Sequence, residues 1–159
     1  MALHPILYAM ETKEIDNIEL SLLSLDDYHE LKDAMIASYT NFPDSYWKEH
    51  HIKTLIEKFP EVQVVIKVNN QIAGCALSLI LDYDKFDDKH TYAEITGNLT
   101  FSTHDNDGDI LYGIDVFIKP DFRGLRLGRR LYDYRKDLCE NLNLRGVAFG
   151  GRMPNYHEY

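Results

Sequence analysis

The sequence has few cysteines, no long apolar run and no arginine before position 123. Its two cysteines, Cys75 and Cys139, lie far apart and form neither a CxxC pair nor a metal-binding spacing, so we expect buried free thiols in a reducing, cytoplasmic compartment. No segment approaches the roughly 20 apolar residues that span a bilayer, and the first ten residues lack the basic segment and apolar core of a signal peptide. These absences argue against a membrane protein and against a disulfide-stabilised one.

Charge and ligand spacing exclude two further kinds of partner. The chain carries 17 basic and 26 acidic residues, a formal net charge of -9. Phosphate backbones bind basic surfaces, so a nucleic-acid partner is not expected. An acidic segment around Gly108 could be compared with a calcium loop, which needs glycine at its sixth position and acidic ligands at its first and twelfth. With Gly108 sixth, those positions hold Thr103 and Ile114, so we predict a polar turn and no metal site.

A strand, a tight turn and a helix are predicted in succession between Gly113 and Leu142. The β-branched and aromatic residues between Ile114 and Ile118 predict a buried strand, and Pro120, which has no N–H for a sheet, ends it. The turn that follows contains Gly124 and Gly128, where the absence of a Cβ lets a ligand approach the backbone. Apolar residues then recur at spacings of three and four, as on one face of a helix: they are Leu127, Leu131, Tyr134, Leu138 and Leu142.

This turn is predicted to bind an anion. The first N–H groups of a helix have no intrahelical partner, and the helix dipole adds positive charge there. Every arginine of this acidic chain lies at or after the turn: Arg123, Arg126, Arg129, Arg130, Arg135, Arg145 and Arg152. The alternative is a solvated basic helix face after an ordinary turn. The preceding strand, Pro120 and the two glycines favour the anion site.

The rest of the chain is predicted to supply further strands and helices. Alternating and helical periodicities, with caps at Ser24 or Asp26 and a turn at Asn69-Asn70, define these elements. They are a strand at 18–22, helices at about 24–38 and 44–58, strands at 61–68 and 71–81, a long polar segment at 82–109 and a fifth strand at 145–152.

The segment Ile118–Leu131 resembles the acetyl-CoA motif of the GNAT superfamily of N-acetyltransferases, V-x-P-x-x-(R/Q)-G-x-G-(I/L)-G-x-x-L. It departs from that motif at Arg126, where the family most often has glycine. The resemblance implies an α/β (α+β) protein with the GNAT acyl-CoA N-acyltransferase fold, a mixed, mostly antiparallel twisted sheet flanked by helices. Since that fold continues beyond the fifth strand, the domain is expected to be truncated at its C-terminus. The match comprises the hydrophobic strand end, Pro120, Arg123, Gly124, Leu127, Gly128 and Leu131.

The same resemblance implies roles for individual residues. Backbone groups of the central strand would pair with the pantetheine arm of CoA, and amides of the turn would hold its diphosphate. Asp115 is expected to be the general base, with Tyr112 and His104 as alternatives, and a structural aspartate is the competing interpretation. No residue matches the tyrosine that commonly acts as the general acid. The expected acetyl-CoA-binding residues are Val116, Phe117, Ile118, Arg123, Gly124, Leu125, Arg126, Leu127, Gly128 and Arg129.

An aromatic-rich connector joins the two predicted helices and contains the only tryptophan of the chain, Trp47. In GNAT proteins the corresponding region helps to line the acceptor pocket. The competing interpretation is that Tyr46 and Trp47 fill the junction between the helices, as aromatic side chains commonly do. The sequence leaves the two open.

A narrower likeness covers more of the chain. Segments that include Leu81–Tyr83, Phe101–Asp105 and Gly150–Arg152 are similar to the GNAT-like domain that precedes a carbon–nitrogen hydrolase domain in some bacterial bifunctional proteins. Residues 1–14 would be a tail and residues 15–159 the GNAT-like domain. Another copy of the chain or a hydrolase domain could cover the sheet edge that the truncation leaves open. Two functions follow from the resemblance. One is an acetyl-CoA-dependent N-acetyltransferase acting on a primary amine of a small molecule or a protein; the other is a non-catalytic CoA-binding or interaction module that serves the hydrolase domain.

Overall fold

The computed structural model describes residues 17–39, 44–86 and 89–149, which form one five-stranded sheet. Its strands follow the order β1-β2-β3-β4-β5, and all neighbours are antiparallel except β4 and β5, which are parallel. The predicted mixed, mostly antiparallel sheet flanked by helices is confirmed. The strands are β1 (Ile18–Leu22), β2 (Val64–Val68), β3 (Gln71–Leu81), β4 (Ile110–Ile118) and β5 (Gly146–Phe149), and the α-helices are α1 (Tyr28–Ser38), α2 (Glu49–Lys58), α3 (Tyr92–Thr96) and α4 (Leu127–Asn141).

Helices cover both faces of the sheet. On one face, apolar side chains of β3 and β4 pack against α1 and α2. On the other face, Leu127 and Leu131 of α4 pack against β2 and β3. Since both faces are covered, β3 is buried along its whole length after Gln71, as expected for a central strand with a continuous apolar run. None of the helices in the described residues has the length and apolar character needed to cross a bilayer.

A β-bulge in β4 changes which face its side chains occupy. Leu77 of β3 lies opposite Asp115, but the next residue, Ser78, lies opposite Gly113, so Ile114 is the extra residue. Ile114 and Asp115 therefore both point to the face covered by α1 and α2, where Ile114 joins the core and Asp115 finds its hydrogen-bond donors. Gly113 faces α4 instead. The bulge thus re-aims a carboxylate into the core without ending the strand.

Several local predictions are confirmed. Strand β1 has the predicted bounds, β3 begins and ends where predicted, and β4 ends at Ile118 before Pro120. Asn69 and Asn70 adopt left-handed φ values of 50° and 68°, as the predicted turn requires. Ser24 caps the short 3-10 turn that leads into α1. Both cysteines are buried and free.

Other predictions were wrong, and tertiary contacts explain the differences. Helix α2 begins at Glu49, five residues later than predicted, because the carbonyl of Trp47 accepts from the Tyr28 hydroxyl at 2.7 Å instead of starting a helix. The predicted polar segment at 82–109 contains α3 and the fully buried Phe101. Leu142, predicted on the apolar stripe of α4, lies beyond the helix and is 40% exposed. The predicted tail and the C-terminal part of the fifth strand lie outside the described residues.

Candidate functional site

The turn between β4 and α4 presents a row of backbone N–H groups without acceptors. No side chain in the part of the chain that the structure describes caps the N-terminus of α4, so its first amides keep the unpaired state that every helix start has before capping. Unpaired donors at the positive end of a helix dipole make an anion-binding geometry. Within the described residues, nothing accepts a hydrogen bond from the N–H groups of Gly124, Leu125, Arg126, Leu127, Gly128 and Arg129.

The shape of this turn depends on three positions. Arg126, where the sequence departs from the family motif, has a left-handed φ of 59°, a conformation that costs a non-glycine residue roughly 1–2 kcal/mol. Gly124 has a φ of 87°, which favours glycine for the same reason. A Cβ added at Gly124 or at Gly128 would meet no atom of the described residues within 4 Å. The departure at Arg126 therefore keeps the conformation that glycine would adopt, and the space over the turn is open.

The pair Gly113 and Phe149 is the last described pair between β4 and β5, and we call the edge of β4 beyond this pair the β4–β5 fork. The two strands pair only from Ile110 to Gly113, opposite Gly146–Phe149. Beyond Gly113, no described strand pairs with the edge of β4 that faces away from β3. Two side chains reach this edge: the Tyr92 hydroxyl donates to the Ile114 carbonyl at 2.8 Å, and Nε of Arg123 donates to the Ile118 carbonyl at 3.3 Å. An open strand edge presents unpaired N–H and C=O groups that can bind another extended chain. This edge of β4 ends at Ile118, directly before the turn, so the edge and the row of free amides adjoin each other.

The register of β4 shows which backbone groups face this fork. The N–H of Lys119 donates to the Ala73 carbonyl on β3 at 2.7 Å, and the backbone groups of successive strand residues alternate between the two edges. The N–H and C=O groups of Phe117 therefore face β3, while those of Val116 and Ile118 face the fork. Of the three residues expected to pair with a pantetheine arm, Val116 and Ile118 have backbone groups in position to do so.

Exposed arginines surround the opening of the turn. Arg123 donates from Nε to the Ile118 carbonyl at 3.3 Å, and Arg129 lies 3.4 Å from Asp133 in an exposed ion pair. Exposed pairs of this kind contribute little and exchange partners readily. Arg126 makes no ion pair with any residue that the structure describes. These guanidinium groups can therefore turn toward an anion held on the amides.

Asp115, the predicted general base, is buried and accepts two hydrogen bonds. It is 2% exposed. The Tyr39 hydroxyl donates to Oδ1 at 2.5 Å, and the Trp47 indole donates from Nε1 to Oδ2 at 2.8 Å. Trp47 is itself fully buried, so at this point the aromatic connector fills the core. Charge-assisted hydrogen bonds stabilise a buried carboxylate, and the role of Asp115 as a base stays a prediction.

The two alternative bases occupy different surroundings. Tyr112 is buried, its hydroxyl lies 3.4 Å from Nε2 of His90, and burial raises its pKa. His104 accepts from the Ile80 N–H on Nδ1 at 3.2 Å, which leaves the ring proton on Nε2, 2.8 Å from the Asn106 side-chain oxygen. Burial lowers the pKa of His104. Both ring nitrogens of His104 are therefore engaged, and its role as an alternative base stays a prediction.

Three side chains around the middle of β4 were not predicted. The Tyr39 hydroxyl donates to Asp115, and the Tyr92 hydroxyl donates to the Ile114 carbonyl at 2.8 Å. Arg135 of α4 is only 2% exposed and lies over Gly113. The aromatic connector was the available signal for Tyr39. The signal for Arg135 was its position four residues after Leu131, on the stripe of α4 that faces the sheet.

Comparison with known families agrees with this fold. The Acetyltransferase (GNAT) family model matches residues 28–158. The chain therefore belongs to the acetyltransferase (GNAT) family, as the motif after β4 predicted.

Two curated relatives from Bacillus subtilis (strain 168) share most of this region. The probable hydrolase YhcX is 42% identical over 113 residues, which are 71% of this chain and 22% of YhcX. The uncharacterized N-acetyltransferase YkwB is 30% identical over 113 residues, which are 71% of this chain and 50% of YkwB. The matched part of this chain thus spans 22% and 50% of the lengths of these relatives.

Solved structures show the same fold. The loading GNATL domain of CurA from Lyngbya majuscula superposes with a TM-score of 0.71 at 20% identity, covering 91% of this chain and 69% of that one. The GphF GNAT-like decarboxylase, solved in complex with isobutyryl-CoA, superposes with a TM-score of 0.61 at 14% identity, covering 73% of this chain and 56% of that one. At these identities the likeness extends to the fold alone.

Proposed function

We propose that the chain is an acetyl-CoA-dependent N-acetyltransferase that transfers an acetyl group to a primary amine. The observation that carries this proposal is the continuity of six unpaired turn amides with the open edge of β4. A diphosphate fits the amides and an extended pantetheine arm fits the strand edge, so one ligand satisfies both features. The name of YkwB, an uncharacterized N-acetyltransferase, supports the choice of an amine acceptor.

The residues of the chain act mainly by positioning. The amides from Gly124 to Arg129 hold the diphosphate, and Val116 and Ile118 hold the pantetheine arm as an added strand. Acetyl-CoA supplies an acyl group already activated as a thioester. Fixing that group beside the middle of β4 lowers the entropic part of the barrier. An N–H of Val116 or Ile118 that faces the fork is the donor that polarises the carbonyl oxygen during attack.

Asp115 is the proposed acceptor of the amine proton, and its burial implies a route through Tyr39. The Tyr39 hydroxyl, 2.5 Å from Oδ1, would pass the proton inward as Asp115 takes one. In an Asp115→Asn variant we expect a loss of at least tenfold in transfer rate with unchanged acetyl-CoA affinity, because general-base catalysis typically contributes about 10²–10⁴-fold. A variant that keeps the wild-type rate would remove Asp115 from the mechanism.

Calorimetric titration with acetyl-CoA tests the binding half of the proposal. A Gly128→Glu variant places a carboxylate over the free amides, where space is open, and should abolish binding by charge repulsion. An Asn141→Glu variant adds the same charge at the far, exposed end of α4 and should bind normally. If the wild-type chain gives no heat at millimolar acetyl-CoA, the proposal fails. Release of free CoA thiol across a panel of amines then tests catalysis.

The second candidate is a non-catalytic CoA-binding or interaction module. One observation favours it: the relative named a probable hydrolase contains the matched region as only 22% of its length. In that case acetyl-CoA would bind, Gly128→Glu would abolish binding, and no amine would accelerate thiol release. The same two assays therefore separate the module from the enzyme.

A further inference from the structure

Three buried side-chain atoms in the described residues have no hydrogen-bond partner: Oγ of Ser78, and Nε and Nη2 of Arg135. Arg135 is 2% exposed and Ser78 is fully buried. None of the ion pairs among the described residues involves Arg135. Buried polar atoms are nearly always paired, and an unpaired buried cation is especially unfavourable. These three donors therefore indicate a missing acceptor.

The two side chains lie on either side of Gly113, at the base of the fork. A Cβ on Gly113 would lie 2.1 Å from Nη2 of Arg135, so the guanidinium fills the space that this glycine leaves on the α4 side of β4. Ser78 lies directly opposite Gly113 on β3, and opposite residues have Cβ positions about 4.5–5.5 Å apart. The Gln63 side chain satisfies both backbone groups of Ser78, at 2.8 and 3.0 Å, which leaves only the Oγ hydroxyl unpaired.

The geometry of the unpaired atoms selects the kind of acceptor. Nε and Nη2 form one edge of the guanidinium, whose two parallel N–H bonds match the two oxygens of a carboxylate. The Phe149 ring lies 4.6 Å from Cζ and covers the face of the cation, which leaves this edge unsatisfied. Burial lowers the pKa of Arg135 to about 10, so the group is still charged at neutral pH. We propose that Arg135 and Ser78 form a buried carboxylate-binding site at the base of the β4–β5 fork.

The carboxylate could come from two sources. One is a small free acid such as formate. The other is the far end of an acyl group on CoA, and this source rests on the proposed function. From Ile118 to Gly113 the strand spans about 17 Å at roughly 3.3 Å per residue, so an arm that follows β4 from the turn delivers its acyl group near Gly113. An acyl group ending in a carboxylate would then reach Arg135.

Matched CoA esters test the second source by calorimetry. Succinyl-CoA and butyryl-CoA have acyl chains of equal length, and only the first ends in a carboxylate; malonyl-CoA and propionyl-CoA form the shorter pair. We expect the wild-type chain to prefer one of the carboxylated esters by about tenfold to a hundredfold, and an Arg135→Met variant to lose this preference without weaker binding of the uncharged partner. Replacement of a buried charge by an apolar side chain of similar volume is usually tolerated. Lys136→Met, an exposed change on the same helix, is the control and should keep the preference.

Thermal unfolding tests whether the site binds a small free acid such as formate. At constant sodium concentration, formate should raise the unfolding temperature of the wild-type chain relative to gluconate, a much larger carboxylate, and Arg135→Met should abolish that difference. A lost ester preference supports the acyl-CoA source, and a lost formate effect without ester preference supports the free acid. If neither effect depends on Arg135, the site is overturned. If no CoA ester binds, the proposed function fails while the formate comparison still decides the carboxylate site.

Discussion

The hydrogen bond between Tyr39 and Asp115 gives a sharp test of how the core is built. A Tyr39→Phe variant removes one hydroxyl and keeps the ring, which packs edge-to-face on Phe117 with 5.9 Å between centroids. The lost bond is short, at 2.5 Å, and leads to a carboxylate that is 2% exposed. Hydrogen bonds to charged groups contribute roughly 1.5–3 kcal/mol, so we expect a loss of that size from a typical total stability of about 5–15 kcal/mol.

Urea unfolding measured by far-ultraviolet circular dichroism provides the assay, with the thermal midpoint as a second reading. For a chain of this length about 2–4 °C is lost per kcal/mol, so the expected fall in midpoint is roughly 3–12 °C. Tyr132→Phe is the matched control, because Tyr132 lies on α4 and is 47% exposed, and surface changes of this kind stay within about 0.5 kcal/mol. If Tyr39→Phe costs no more than Tyr132→Phe, the bond to Asp115 does not hold the connector to the sheet.

Three further predictions concern the backbone and the thiols. Arg126→Gly should leave stability unchanged or raise it by up to about 1 kcal/mol in urea unfolding, because relief of the left-handed conformation slightly outweighs the added entropy of the unfolded chain; a clear loss would contradict that conformation. Gly74→Ala should lower the free energy of unfolding by roughly 1–3 kcal/mol in the same assay, because the added Cβ would lie 2.6 Å from the Phe117 carbonyl oxygen. Gly128→Ala is the control and should leave it unchanged, because the added Cβ would meet no described atom within 4 Å. Burial raises the pKa values of Cys75 and Cys139. The free energy of unfolding should therefore be unchanged below the ordinary thiol pKa of about 8.5 and should fall as pH rises above it. Unfolding midpoints that stay constant through pH 10 would exclude this.

Features set by neighbouring residues were predictable from the sequence. The end of β4 follows from Pro120, which cannot donate to a sheet, and the β2–β3 turn follows from Asn69 and Asn70, which tolerate left-handed φ. The turn before α4 was predictable for the same reason, since its glycines lie at fixed spacings from the proline. Each of these signals acts over a few residues, so one sequence contains all the information they need.

Features set by distant residues were not predictable. Asp115 meets Tyr39 and Trp47 across 76 and 68 positions of the chain, and no local pattern records such pairings. The late start of α2 has the same origin, because Trp47 is buried in the core at a position where the sequence had predicted a further turn of helix. Arg135 was counted among the arginines at the predicted anion site on charge alone, although its spacing from Leu131 placed it on the buried stripe.

The bulge at Ile114 separates the two buried charges beside Gly113, Asp115 of β4 and Arg135 of α4. In a regular strand, positions 113 and 115 share one face, and the Asp115 carboxylate would lie on the same side as the Arg135 guanidinium that covers Gly113. A buried pair would form there, because each charge is costly alone. The extra residue turns Asp115 to the other face, where Tyr39 and Trp47 satisfy it. Arg135 is thereby left with a donor edge that no described residue fills, which is the condition that a site for an external carboxylate requires.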